Sequence, residues 1–102
     1  NNVVPVLTTV IPNLSDQAII DRTEAINDVI INVANANSIP LLNQWRAMNE
    51  LPNNGISGDN VTPSVAPEGA GSLTQSTLTS GANVRNLQAL TLLDNLQNII
   101  FR

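Results

Sequence analysis

The chain has 102 residues, 42% of them apolar and only 12% charged, a balance suited to one small collapsed domain or a piece of a larger one, and unsuited to a solvated tail or a charged helical rod. It contains no Cys, His, Lys or Tyr, which removes thiol and lysine nucleophiles, disulfides, Cys/His zinc centres and an imidazole base. Its net charge of −4 argues against nucleic acid, whose phosphates a binder must neutralise.

No apolar run approaches the roughly 20 residues of a membrane crossing, and the N-terminus lacks the basic stretch and apolar core of a signal peptide. No membrane insertion is expected. The absence of Cys fits a reducing cytosol and a bacterial secreted protein equally, while 16 Asn and 15 Ser or Thr lean towards an exported bacterial protein. Counts that high produce a couple of Asn-x-Ser/Thr matches by chance, so Asn13-Leu14-Ser15 and Asn60-Val61-Thr62 carry no glycosylation signal.

Residues 3–11, Val-Val-Pro-Val-Leu-Thr-Thr-Val-Ile, are continuously apolar and β-branched, the pattern of a strand buried on both faces inside a parallel sheet. Pro5 lacks a donor and delays the pairing; Pro12 and Asn13 end it. Ser15 is then placed to cap a helix, with Asp16 at the positive end of the dipole and Leu14 stapled onto Ile19. Over residues 16–37 the apolar positions Ile19, Ile26, Val29, Ile30 and Val33 recur at helical spacing, with Asp21, Arg22, Glu24, Asn27 and Asp28 around the rest. This predicts an amphipathic helix with one buried stripe.

Residues 39–42, Ile-Pro-Leu-Leu, predict a second strand, parallel to the first and reached by a right-handed crossover if both share a sheet. Residues 43–50, with Trp45 and Met48, predict a short helix. From 51 to 81 Pro, Gly, Asn, Ser and Thr dominate and no period survives. A loop of about 30 residues inside a compact domain is usually functional or disordered. Over 82–101 helical period returns through Leu87, Leu90, Leu93, Leu96 and Ile100, widened by Leu92 and Ile99, and predicts a helix packed along most of its length.

These parts do not close a core. Two parallel strands with one crossover helix leave a second face and both outer edges uncovered, and parallel sheets occur almost only with both faces covered. Either the chain is the C-terminal part of a larger doubly wound domain, its N-terminal half still to be supplied, or it completes its sheet with a second copy. The first is the simpler expectation.

The order of parts is also informative: a strand ending Thr8-Thr9-Val10-Ile11-Pro12, a helix carrying Ile26-Asn27-Asp28-Val29-Ile30, a short strand before Trp45, then Gly55-Ile56-Ser57-Gly58-Asp59-Asn60-Val61-Thr62-Pro63-Ser64, and a helix opened by Val84-Arg85-Asn86-Leu87. Over nearly its whole length the chain resembles the C-terminal third to half of an SGNH (GDSL-type) hydrolase. The last block of that family reads like Gly-Asp-Gly-Val-His-Pro-Ser, with the Asp orienting a His that takes a proton from a Ser nucleophile. By this resemblance Asp59 stands at the family's Asp position and Thr62 where the family has its His. Threonine does not titrate near neutral pH and cannot act as the general base, and the family's Ser, Gly and Asn blocks would precede residue 1.

The resemblance implies an α/β fold, the C-terminal part of a doubly wound three-layer αβα (flavodoxin-like) SGNH-hydrolase domain, with residues 1–102 forming one incomplete domain. It implies esters of acyl or carbohydrate substrates, no cofactor, no metal, and an inactive chain when alone. The alternative is a non-catalytic binding or assembly module that pairs through its exposed strand and the 51–81 loop.

Other residues have plainer readings. Asp59 itself suits a turn whose carboxylate accepts backbone N–H groups, and Thr62 before Pro63 is held extended. Asp21, Glu24 and Asp28 share neighbouring turns as a solvated face. Asp59 with Glu68 lacks the ligand alternation of a calcium loop. Trp45 could stack on a sugar or acyl chain, though burial against the sheet end is the simpler expectation. Arg85 could tie the loop to the last helix through Asp59 or Glu68, and Arg46 belongs on the surface.

Overall fold

A computed structural model describes residues 3–100, the side chain of residue 100 excepted. The role expected of the Ile100 side chain in the apolar face of the last helix, and the predicted helix end at residue 101, lie outside the described residues. The elements run β1 (Leu7–Thr8), α1 (Gln17–Ala36), β2 (Leu41–Leu42), α2 (Gln44–Asn49), a 3-10 turn (Pro52–Gly55) and α3 (Gly81–Ile100). β1 and β2 form a two-stranded parallel sheet in which Leu7 pairs with Leu41 and Thr8 with Leu42. The chain is thus α/β with the predicted strand, helix, strand order. No helix among the described residues is long and apolar enough to cross a membrane.

The first strand is shorter and more open than residues 3–11 predict. Pairing is confined to Leu7–Thr8, and Val3, Val4, Val6 and Val10 are exposed, Val3 to 80% and Val10 to 44%. The cause is a single neighbour. In a parallel ladder alternate residues turn their N–H groups to opposite edges. The Leu7 N–H reaches Pro40 O at 3.0 Å and the Thr9 N–H reaches Leu42 O at 3.2 Å. Val6 and Thr8 face the other edge, where no strand lies among the described residues. At Val10 a side chain stands in for the missing strand: Asn27 Oδ1 accepts from Val10 N at 2.7 Å and Asn27 Nδ2 donates to Val10 O at 2.9 Å.

The cap of α1 lies one residue later than predicted. Asp16, in extended backbone, accepts from Ile19 N at 2.9 Å, whereas Ser15 is held in the preceding turn, its N–H and hydroxyl both donating to Asn13 Oδ1. A carboxylate is an acceptor only and suits the positive end of the helix, so it outcompetes the hydroxyl. The helix ends in a Schellman turn, with Ile39 N donating to Ala34 O at 2.9 Å and Ser38 N to Asn35 O at 3.4 Å. Ser38 takes the left-handed position, φ 53°, that glycine usually fills.

The face that α1 buries is rotated from the predicted stripe. Thr23, Asn27 and Ala34 are buried, Ile19, Ile20 and Ile30 are half-buried, and Ile26, Val29 and Val33 are exposed, Val29 to 60%. Asn27 moves to the inside because its amide pairs with both backbone groups of Val10. The last helix departs in the same way: Leu90, Leu93 and Ile99 are exposed, Leu93 to 63%, so α3 is not packed along most of its length.

The interior is accordingly small and polar. Pro12, Ala34, Met48, Ile56 and Ala66 are its buried apolar side chains among the described residues, beside buried Thr9, Thr23, Asn27, Gln44, Thr77 and Asn83. Residues 51–81 lack a long element, as predicted, yet they are ordered by hydrogen bonds. Ile56 and Pro63 form an antiparallel bridge, and Ser64 joins Gly55 O to the Ala82 N–H through its own backbone, at 2.8 and 2.9 Å. Fully buried Asn83 accepts from Ala66 N at 3.1 Å and donates to Gly69 O at 2.9 Å and Ser72 O at 2.8 Å.

Candidate functional site

The loop between Ile56 and Pro63 carries the two sequence-predicted site residues. Its hairpin closes through Ser57 N donating to Thr62 O at 2.8 Å and Asn60 N to Ser57 O at 3.1 Å, with Asn60 left-handed at φ 66°. Asp59 sits at the tip. Its Oδ1 accepts from the Ser57 hydroxyl at 2.9 Å, Val61 N at 2.9 Å and Thr62 N at 2.8 Å, and its Oδ2 accepts from the Thr62 hydroxyl at 2.5 Å. The Thr62 hydroxyl first, then the Thr62 and Val61 N–H groups and the Ser57 hydroxyl, hold the carboxyl well below the usual carboxylate range. All four donors favour the charged form.

Sequence position and structure therefore bring Asp59 and Thr62 together, side chain to side chain, but as a turn clasp on an exposed loop. A carboxylate so occupied is a weak base, and a threonine hydroxyl that donates to it accepts no proton at neutral pH. Arg85 is not among the partners of Asp59. The loop is tied to α3 instead by the Ser64 hydroxyl accepting from Gly81 N at 2.9 Å, by Asn83, and by Asn86 Nδ2 donating to Ala70 O at 2.9 Å. Arg46 is exposed, as expected, and so are Asp21, Glu24 and Asp28. No group of three or more Asp or Glu among the described residues is placed to hold a metal ion.

A second feature lies beside this loop. Leu14 N donates to Asn60 O at 2.8 Å, which lays the loop against the turn from β1 into α1. That turn forms one wall of a cleft of about 220 Å³ whose lining includes Pro12, Asn13 and Leu14 after β1, Ile20, Thr23 and Glu24 in α1, and Trp45, Asn49 and Asn54 after β2. It thus opens where the carboxyl ends of both strands feed their helices, the usual ligand position in open α/β sheets. Asp59 and Thr62 are not in its lining.

Trp45 is half-buried and borders the cleft, so it is neither fully packed against the sheet end nor free. Its backbone is anchored where the strand ends: Trp45 N donates to Thr9 Oγ1 at 3.0 Å, and that hydroxyl donates to Asn43 Oδ1 at 3.3 Å. Asn13, Asn49 and Asn54 were given no site role by the sequence. The available signal was local: Trp45 and Asn49 are four apart on a short helix, hence on one face, and Asn53-Asn54-Gly55 begins four residues after Asn49.

Compared with family models, with curated proteins and with solved structures, the chain matches none.

Proposed function

We propose that the chain is the C-terminal portion of an SGNH-like ester hydrolase domain of doubly wound three-layer architecture, with Asp59 at the triad Asp position and the base lost at Thr62, and that it hydrolyses no ester by itself. The observation that carries this reading is the contact of the Asp59 carboxylate with the side chain three residues on. An Asp-x-x-His loop needs the same reach to orient its imidazole; here the partner is a hydroxyl. The parallel β1–α1–β2 unit and the cleft at its strand ends agree with such a domain.

The exposed β1 edge favours a second reading, a non-catalytic assembly module that pairs through this strand and the 51–81 loop. Two measurements separate the readings. Hydrolysis of p-nitrophenyl acetate is expected at the buffer rate, with and without Asp59→Ala; a saturable rate abolished by that change contradicts the loss of the base. A molar mass twice that of the chain in light scattering favours the assembly module, whereas a chain that stays soluble only when co-expressed with a preceding segment favours the hydrolase portion.

A further inference from the structure

We infer that the cleft between the β1–α1 turn and α2 is a binding site for one neutral saccharide ring, of pyranoside class. Half-buried Trp45 is in the cleft's lining, and an indole is the kind of apolar surface that covers the C–H face of a sugar. Around it stand hydrogen-bonding groups whose capacity the chain does not use up. Asn13 Oδ1 is occupied by Ser15, leaving its Nδ2 as a donor. Asn54 Nδ2 donates to Asn49 Oδ1 at 2.9 Å, leaving Asn49 Nδ2 as a donor and Asn54 Oδ1 as an acceptor. Glu24 adds a carboxylate at the lining.

The other occupants fit less well. An acyl chain would cover the indole but offer the amides no partner, and each amide it covered would be desolvated at a cost. An anion would meet Glu24, with no cation in the lining. A neutral ring with hydroxyls on its rim satisfies both kinds of group at once, which is the usual mix of apolar wall and few polar anchors in small-ligand sites. Binding requires no nucleophile or base, so this inference stands or falls separately from the hydrolase reading.

Trp45 is the single tryptophan, so its fluorescence reads the cleft alone. With the 102-residue chain showing helical circular dichroism, titration with methyl β-glucopyranoside or methyl β-xylopyranoside should give a saturable blue shift at millimolar sugar. Asn49→Ala, an exposed change at the end of α2, should weaken that binding about five- to tenfold while leaving the dichroism unchanged. The inference is overturned if neither glycoside gives a saturable change up to about 0.1 M, a concentration that detects even millimolar affinity. It is equally overturned if hexanoate or choline saturates the signal where the sugars do not, or if Asn49→Ala leaves the affinity unaltered.

Discussion

Four donors converge on the Asp59 carboxylate from an exposed loop, and each stabilises the charge rather than the neutral acid. The folded-state pKa is therefore lowered, so the contribution to loop stability is complete above the ordinary carboxylate value of about 4 and is lost as pH falls below it towards the folded value. Carbon-detected NMR titration should find Asp59 still ionised well below the ordinary carboxylate range. Thr62→Val should move its pKa back upward more than Ser57→Ala does, because the Thr62 hydroxyl is the largest cause; an ordinary titration in the unaltered chain would refute the clasp. Asparagine has equally specific work. Asn53, Asn54 and Asn60 hold left-handed backbone, φ 49°, 56° and 66°, which this side chain tolerates better than most. Asn43 caps α2, and Asn27 and Asn83 act as buried amide clamps. Removing the Asn27 clamp by Asn27→Ala leaves Val10 N–H and C=O unpaired, and should lower unfolding free energy by about 2–3 kcal/mol in urea denaturation. A loss below about 0.5 kcal/mol would mean that water serves the strand as well.

Among the elements, α1, α2 and α3 were legible to within a residue or two, because helical period, a nearby acceptor for the cap and a Pro/Gly/Asn-rich break are local signals. Their orientation was not. The spacing of Ile26, Val29 and Val33 identifies an apolar stripe, but which stripe is covered depends on what lies beyond the β1 edge, and Asn27 reached the interior through a bond to Val10, 17 residues earlier. The site was legible in one part only: Asp59 and Thr62 meet as their spacing suggests, whereas the cleft joins Asn13, Glu24, Trp45 and Asn54 from segments whose proximity no local pattern encodes. One approach between elements also escaped the sequence. Gly81 begins α3 directly on Gly55, where an added Cβ would lie 2.1 Å from Gly55 O and 2.7 Å from Met48 Cε. Backbone cannot yield there as a flexible side chain would, so Gly81→Ala should destabilise the chain by about 1–3 kcal/mol despite the better helix propensity of alanine. A neutral or stabilising result in thermal unfolding would show that α3 can lift off the 3-10 turn at little cost.

At the scale of the whole molecule, the described chain is a slab of 42 × 33 × 19 Å with a radius of gyration of 14.7 Å, against about 13 Å for a compact domain of 100 residues. Valines flanking β1, an apolar stripe on α1 and leucines on α3 all remain in solvent, and the sheet among the described residues has only two strands, a small number for independent stability. The exposure around β1 follows from a parallel sheet whose β1 edge is unpaired among the described residues. Residue-resolved hydrogen exchange on the monomeric chain tests it most directly. The account predicts slow exchange at Leu7 and Thr9, bonded to β2, and at Val10, bonded to Asn27, with exchange at Val6 and Thr8 close to that of an unstructured peptide; protection of Val6 and Thr8 equal to that of their neighbours would contradict it.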